Sequence, residues 1–160
     1  MQAPPGTIAR PREILLVSIA GVALAVLMTW PLAAGLSHLG RTAPNDADGQ
    51  FSIWNISWVA RTLVADPLDL FDANIFAPHK TTLAYSEAML VQGVFGAPLL
   101  WLGAPTLLVY NLVLLAGLTL TGWATCLVAA RWTGSWAGGA AAGIVAAFNA
   151  HTLTRLPHLQ

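Results

Sequence analysis

The stretch Thr106–Ala130, TLLVYNLVLLAGLTLTGWATCLVAA, decides the fold class of this chain. It contains no charged residue and is longer than the roughly 20 apolar residues that a helix needs to cross a bilayer. A second uncharged run of similar length, Ile14–Leu36, comes before it. The two runs predict helices that span a membrane.

The composition points to the same class. Of the 160 residues, 56% are hydrophobic and 9% are charged, whereas soluble domains carry about 25% charged residues. So few charges cannot cover a water-facing surface, which predicts an integral membrane protein with the lipid bilayer as a partner. The net charge is zero and the basic residues are scattered, so we expect no nucleic-acid partner, because nucleic acids require a clustered basic face.

Basic residues orient the chain. Arg10 and Arg12 precede the first apolar run, and cytoplasmic flanks are enriched in Lys and Arg, so we expect a cytoplasmic N-terminus. The run is longer than the apolar core of about 7–15 residues in a signal peptide, which predicts a retained anchor. Arg131, after Thr106–Ala130, lies in the cytoplasm if the segment before that span does not cross.

That segment, 88–104, is short and is interrupted by polar, glycine and proline residues, which favours an interfacial or re-entrant helix. Pro105 separates it from the next span, because proline disfavours helix at the residue before it. A third span, 135–153, contains the small residues Gly138–Gly143, which let helices approach closely in lipid. We expect it to pack against other spans, and three spans alone would leave its small-residue face unpaired.

The predicted fold class is an all-α membrane protein with about three transmembrane helices and a long external loop that carries interfacial helices. In chain order the predicted segments are a cytoplasmic N-terminus (1–13), a first span (14–36), an external loop (37–87), an interfacial or re-entrant helix (88–104), a second span (106–130), a cytoplasmic turn (131–134), a third span (135–153) and an external end (154–160).

The external loop contains every acidic residue except Glu13. Its apolar residues recur at helical spacing from Phe51 to Leu70, which suits a helix in the membrane interface that ends at Asp66-Pro67. The stretch Pro44–Trp54 is predicted to be a polar, acidic turn at the mouth of the first span. Acidic residues there usually line a functional cavity or bind a cation, although they can also cap a helix.

Several stretches, taken together, carry a resemblance to a known family. They are Asp48–Trp58, Asp66–Phe76, Thr82–Glu87, Tyr110–Leu112 and His158–Gln160. From Thr29 to its last residue the chain resembles the N-terminal part of bacterial polytopic glycosyltransferases of the GT-C type. It is similar to an uncharacterised subgroup near the lipid-linked mannosyl- and galacturonosyltransferases.

The resemblance implies transfer of a sugar from a polyprenyl-phosphate donor at the external face of the bacterial cytoplasmic membrane. It also implies an essential acidic residue in the first external loop. Family members have several hundred residues, so the resemblance implies an N-terminal fragment that has no activity by itself.

Three carboxylates are the candidate catalytic residues. Asp48 matches the loop carboxylate of the family by its spacing to Trp54, and Asp46 is the weaker match. Glu87 resembles the acidic residue that opens the second loop helix, although Ala88 and Met89 stand where a diproline often follows. Ser86-Glu87 is also a plausible helix cap. A carboxylate within hydrogen-bond reach of the acceptor can act as a general base, the role predicted for Asp48. Asp46 would support it or bind a cation.

A phosphate leaving group needs cationic or hydrogen-bonding partners. The candidates for donor binding are Arg155, His158, Lys80, His79 and Gln160. Arg155 is the preferred phosphate partner, because a guanidinium group binds phosphate in a bidentate fork. No recognised metal-ligand spacing occurs, so we predict no metal site, while a divalent cation stays a candidate cofactor.

Two other functions compete with glycosyl transfer. A non-catalytic scaffold or lipid-binding protein would tolerate the replacement of Asp48 by Asn. A transporter segment is disfavoured, because transporters usually show ionisable groups or broken helices at mid-membrane depth and the three predicted spans carry no charge. The single cysteine, Cys126, is expected to be a small buried packing residue.

Overall fold

The computed structural model describes residues 11–40 and 46–156, and these residues confirm the all-α prediction. Within them the chain forms helices and turns but no strand. The α-helices are α1 (Pro11–Met28), α2 (Asp46–Ala65), α3 (Leu90–Trp101), α4 (Thr106–Thr133), α5 (Trp136–Ala147) and α6 (Ala150–Thr154). Short 3-10 turns occur at Leu32–Ala34, Pro67–Asp69 and Thr82–Tyr85.

The chain forms two compact units. The described residues of the first unit are 11–34 and 114–155, and those of the second are 35–40, 46–113 and 156. The first unit therefore contains α1, most of α4, α5 and α6. The second contains α2, α3 and the first turns of α4.

Two helices are long and apolar enough to cross a membrane, α1 and α4. At 1.5 Å per residue they are about 27 and about 42 Å long, compared with a hydrocarbon layer of about 30 Å. Helix α4 begins at Thr106, as predicted, and continues past the predicted end at Ala130 to Thr133.

Helix α1 ends at Met28, before the predicted end of the first span at Leu36. The Thr29 hydroxyl and the Thr29 backbone N–H both donate to the Ala25 carbonyl, at 2.7 and 3.2 Å. Pro31 follows, and a proline has no N–H to continue the helix and disfavours helix at the residue before it. The rest of the apolar run consists of turns, among them the 3-10 turn Leu32–Ala34.

The third predicted span, 135–153, is two helices rather than one. Helix α5 is twelve residues long, about 18 Å, and the chain breaks at Phe148 and Asn149. Asn149 caps α6, because its Oδ1 accepts from the Thr152 backbone N–H at 2.9 Å while its Nδ2 donates to the Ala146 carbonyl at 3.0 Å. Asparagine is among the best N-cap residues, which explains the break.

The small-residue face of α5 packs against α4. A Cβ atom at Gly139 would lie 2.5 Å from the Cys126 carbonyl oxygen, and one at Gly143 would collide with the Gly122 carbonyl oxygen. Cys126 is buried at this contact, as predicted. The expected packing of the small residues against another predicted span is confirmed. The expectation that this face would stay unpaired is wrong, because α4 covers it.

This contact makes a testable prediction about α5. Replacement Gly143→Ala places a methyl group against the α4 backbone, which cannot move aside as a side chain can, so we expect a loss of about 1–3 kcal/mol in stability. Thermal unfolding in detergent, followed by circular dichroism, measures the loss.

Gly117→Ala in α4 is the matched control. A Cβ there meets nothing within 4 Å, and alanine is favoured over glycine inside a helix by roughly 0.5–1 kcal/mol. We expect this variant to unfold at the wild-type temperature or above. Equal destabilisation by the two replacements would contradict a close α4–α5 contact.

Candidate functional site

Helix α2 belongs to the second unit, where it packs against α3. It begins at Asp46, so the stretch predicted to be a polar turn is largely helical and Asp48 lies in the first turn. Negative side chains are favourable there because the helix dipole is positive at the N-terminus. The helix ends at Ala65, directly before Asp66-Pro67, as predicted.

Several apolar residues of α2 are covered by protein. Ile56 and Val59 are fully buried, and Val59 forms a core with Ala73 and Leu83 of the following loop. Trp54 and Trp58 pack against this core and stack on each other with ring centroids 5.9 Å apart. The interfacial position of α2 stays a prediction, but the tryptophans that suggested it contribute to the core of the unit.

A row of polar residues runs along one side of α2. Asp48, Ser52 and Asn55 are spaced by four and three residues, which places them on one helix face, and Thr62 continues the row two turns later. Ser52, Asn55 and Thr62 are buried, and Asp48 is half-buried. Asp48 and Asn55 are about 10.5 Å apart along the helix axis, at 1.5 Å per residue. We call Asp48, Ser52 and Asn55 the polar row.

Asn55 connects the polar row to the segment that contains Glu87. Its Nδ2 donates to the backbone carbonyl oxygen of Glu87 at 2.8 Å, across 32 residues of sequence. A carbonyl only accepts hydrogen bonds, so this contact fixes the orientation of the amide. The other amide atom, Asn55 Oδ1, is buried and has no hydrogen-bond partner in the described part of the chain.

This free acceptor requires an explanation, because a buried unsatisfied polar group costs about 1–3 kcal/mol. The atom is an oxygen with two lone pairs, on a side chain that is 0% exposed. A hydroxyl group or a water molecule has the donor that it lacks. Asn55 is therefore a binding candidate that the sequence prediction missed.

The segment around Glu87 does not act as the cap of α3. Met89 is the N-cap residue, with a left-handed backbone (φ 44°) and no side-chain hydrogen bond to the helix. The capping role considered for Ser86-Glu87 is therefore wrong. The Glu87 side chain is exposed, while its backbone is held by Asn55.

His79 and Lys80 lie in a closed surface loop of the same unit. The ends of the loop are held together: the Thr82 hydroxyl donates to the Ala73 carbonyl at 2.9 Å, and Asp72 Oδ1 accepts from the Thr81 backbone N–H at 2.6 Å. Lys80 Nζ lies 3.9 Å from Asp72 Oδ2, yet its side chain is 87% exposed, so the pair is a weak one. His79 and Lys80 are both exposed at the surface of the unit.

The remaining predicted site residues are elsewhere. Arg155 is the exposed C-cap residue of α6 in the first unit. The side chain of Asp46, and all of His158 and Gln160, lie outside the described residues. Within residues 11–40 and 46–156, no three side chains of His, Cys, Asp or Glu are grouped so that they could hold a metal ion.

Asp48, Glu87, His79 and Lys80 all belong to the second unit. Asn55, which shares a helix face with Asp48, contacts the Glu87 backbone. That these residues form one site stays a prediction. Comparisons with protein-family models, with curated proteins and with solved structures find no match for this chain. Function is therefore inferred from the residues and their geometry.

The Asn55–Glu87 contact can be tested without an activity assay. Asn55→Leu removes the donor, so we expect the segment 86–90 to open more often. Amide hydrogen exchange there should accelerate about tenfold, which corresponds to about 1.4 kcal/mol for the lost bond. The free energy of global unfolding is a poor readout here. Asn55→Leu also removes the unsatisfied Oδ1, and this stabilising change would offset the loss of the hydrogen bond.

Ser57→Ala is the control on the same helix. The Ser57 hydroxyl bonds to the Thr106 hydroxyl at 3.2 Å, away from the Glu87 segment. Ser57→Ala should therefore leave the amide hydrogen exchange of residues 86–90 at the wild-type rate. Unchanged exchange in Asn55→Leu would show that Asn55 does not hold this segment.

Proposed function

We propose that this chain belongs to a membrane glycosyltransferase that uses a polyprenyl-phosphate sugar donor, with residues 37–87 as its first external loop. The proposed site is the external face of the bacterial cytoplasmic membrane, with the N-terminus in the cytoplasm. The observation that carries the proposal is the polar row of α2, headed by the half-buried carboxylate of Asp48. Acidic residues are costly to place near hydrocarbon, so they usually line a functional cavity or bind a cation.

The proposed chemistry is a displacement at the anomeric carbon of the sugar. A hydroxyl oxygen of the acceptor forms the new bond to this carbon while its proton moves to the Asp48 carboxylate. The bond from the anomeric carbon to the phosphate oxygen breaks, and the polyprenyl phosphate leaves with the electron pair. The base must lie within hydrogen-bond reach of the acceptor, and a rigid helix such as α2 can position it.

The other residues would bind the two substrates. Asn55 Oδ1 would accept a hydrogen bond from a sugar hydroxyl, which satisfies its unpaired lone pairs. Cationic or hydrogen-bonding groups stabilise the negative charge that develops on the leaving phosphate. Lys80, His79 and Arg155 are the described candidates for this role, with His158 and Gln160 beyond the described residues. Asp46 would support Asp48, and a divalent cation remains a candidate cofactor.

One observation supports a non-catalytic scaffold or lipid-binding protein as the second candidate. Asp48 lies in the first turn of α2, where a carboxylate stabilises a helix whatever the protein does. That contribution is worth about 0.3–1 kcal/mol at an exposed position. In this case Asp48 would matter for stability alone.

Asp48→Asn separates the two candidates. The replacement keeps the shape of the side chain and removes the proton-accepting charge, so we expect glycosyl transfer to fall by about 100-fold or more. The measurement is transfer from polyprenyl-phosphate sugars in membranes that carry the protein at its natural length. Folding is checked by thermal unfolding of the same variant.

Asp69→Asn is the matched control, because Asp69 is an exposed carboxylate in the 3-10 turn after α2. It should transfer sugar at the wild-type rate. Full turnover in Asp48→Asn would remove Asp48 from the mechanism. An absence of turnover in the wild-type protein as well would favour the scaffold.

A further inference from the structure

Helix α3 has its small residues inside and its large apolar residues outside. Gly93, Gly96 and Ala97 are buried, and they contact neighbouring helices of the same unit. A Cβ atom at Gly93 would lie 2.5 Å from Val59 Cβ in α2. One at Gly96 would lie 2.7 Å from Val109 Cγ1 in α4. The inner face is therefore flat, and it lets the backbones approach closely.

The outer face consists only of apolar side chains. Phe95 is 74% exposed, and Leu102, just after the helix, is 85% exposed. At 100° per residue the exposed large side chains cover an arc of about 180°. They are Leu90, Val91, Val94, Phe95, Leu99, Trp101 and Leu102. A helix on a water-facing surface has the opposite arrangement, with polar residues outside.

The surroundings of this face argue for lipid rather than for a water-borne partner. Exposed apolar patches that bind soluble proteins are rimmed by polar residues. Here the sequence is uncharged from Ala88 through the whole of α3 and on to Ala130, so the face is continuous in sequence with a helix long enough to span a membrane. Small residues at helix contacts with large residues outward is also the pattern of helices packed in lipid.

At the C-terminal end of α3, polar groups form hydrogen bonds within the protein and do not need water. The backbone N–H groups of Leu102, Gly103 and Ala104 donate to the carbonyls of Pro98, Leu100 and Leu99, at 3.2, 3.0 and 3.0 Å. The Trp101 indole N–H, which often reaches for water, donates to the Ala60 carbonyl at 2.9 Å. In hydrocarbon such groups must be satisfied within the protein.

We infer that the outer face of α3 lies in the hydrocarbon of the bilayer and is covered by lipid acyl chains. The helix has twelve residues, about 18 Å, so it enters the membrane without crossing it. Its N-terminal end follows the exposed residues Ser86 and Glu87, which remain at the polar surface. The second unit is then embedded in the membrane rather than resting on it, whether or not the chain transfers sugar.

Spin-label accessibility tests this inference. The full chain, with Cys126→Ala to remove the native thiol, receives a nitroxide at Phe95→Cys and is placed in liposomes of phosphatidylcholine and phosphatidylglycerol. Collision rates with oxygen, which concentrates in hydrocarbon, are compared with those of a water-soluble nickel chelate. Val22→Cys on α1 is the control for a candidate span, and Asp69→Cys is the control for water.

We expect the ratio of oxygen to nickel collisions at Phe95 to equal that at Val22 and to exceed that at Asp69. Frequent nickel collisions would place this face in water and overturn the inference. Rare collisions with both reagents would also overturn it, because they indicate a protein cover such as a second copy of the chain. A label at Leu102→Cys repeats the measurement at a position outside the helix, in case Phe95→Cys does not fold.

Discussion

The second unit depends on side chains that satisfy the carbonyls of its irregular segments. Asn111 Nδ2 donates to the carbonyls of Leu36 and Leu39, at 2.8 and 2.7 Å, across more than seventy residues of sequence. Asn55 does the same for Glu87, and the Trp58 indole donates to the Leu70 carbonyl at 2.9 Å. An unpaired buried backbone group costs several kcal/mol in an apolar environment, so these few donors decide where the non-helical chain can run.

The same constraint leads to the candidate site. In each of the two asparagines the NH₂ group donates to backbone carbonyls. The Oδ1 atom of each is buried and has no hydrogen-bond partner among the described residues. At Asn55 this oxygen belongs to the polar row headed by Asp48, on a helix fixed by a core of aromatic and aliphatic residues. A structural role and a free acceptor therefore coexist in one side chain, which is how a scaffold residue can also bind a ligand.

Local signals in the sequence predicted the helices best. Pro105 and Pro67 mark the start of α4 and the end of α2, because proline acts on its immediate neighbours. Asp48 and Glu87 could be selected as acidic residues in a mostly apolar chain. Trp54 and Trp58 are partly buried against the core of the second unit, and Asn55 contacts Glu87. Neither feature could be predicted, because hydrophobicity does not say whether protein or lipid covers a side chain. Asn55 could have been selected by its spacing of seven residues from Asp48, because this spacing places both residues on one face of a helix.

The size of the side chains distinguishes the helix faces that pack against protein from those that do not, which hydrophobicity alone cannot do. In α3 and in α5 the buried glycines face another helix, while large apolar residues such as Phe95 and Ile144 face outward. In α3 this packing also affects the position of the candidate site at the polar row. Gly93 lies against Val59, one helical turn after Asn55, so the close approach of α3 to α2 brings the chain before α3 alongside the polar row. A side chain at Gly93 would push α3 away from α2 and would draw Glu87 away from Asn55. The glycine that allows the helices to touch is thus also a condition for the site.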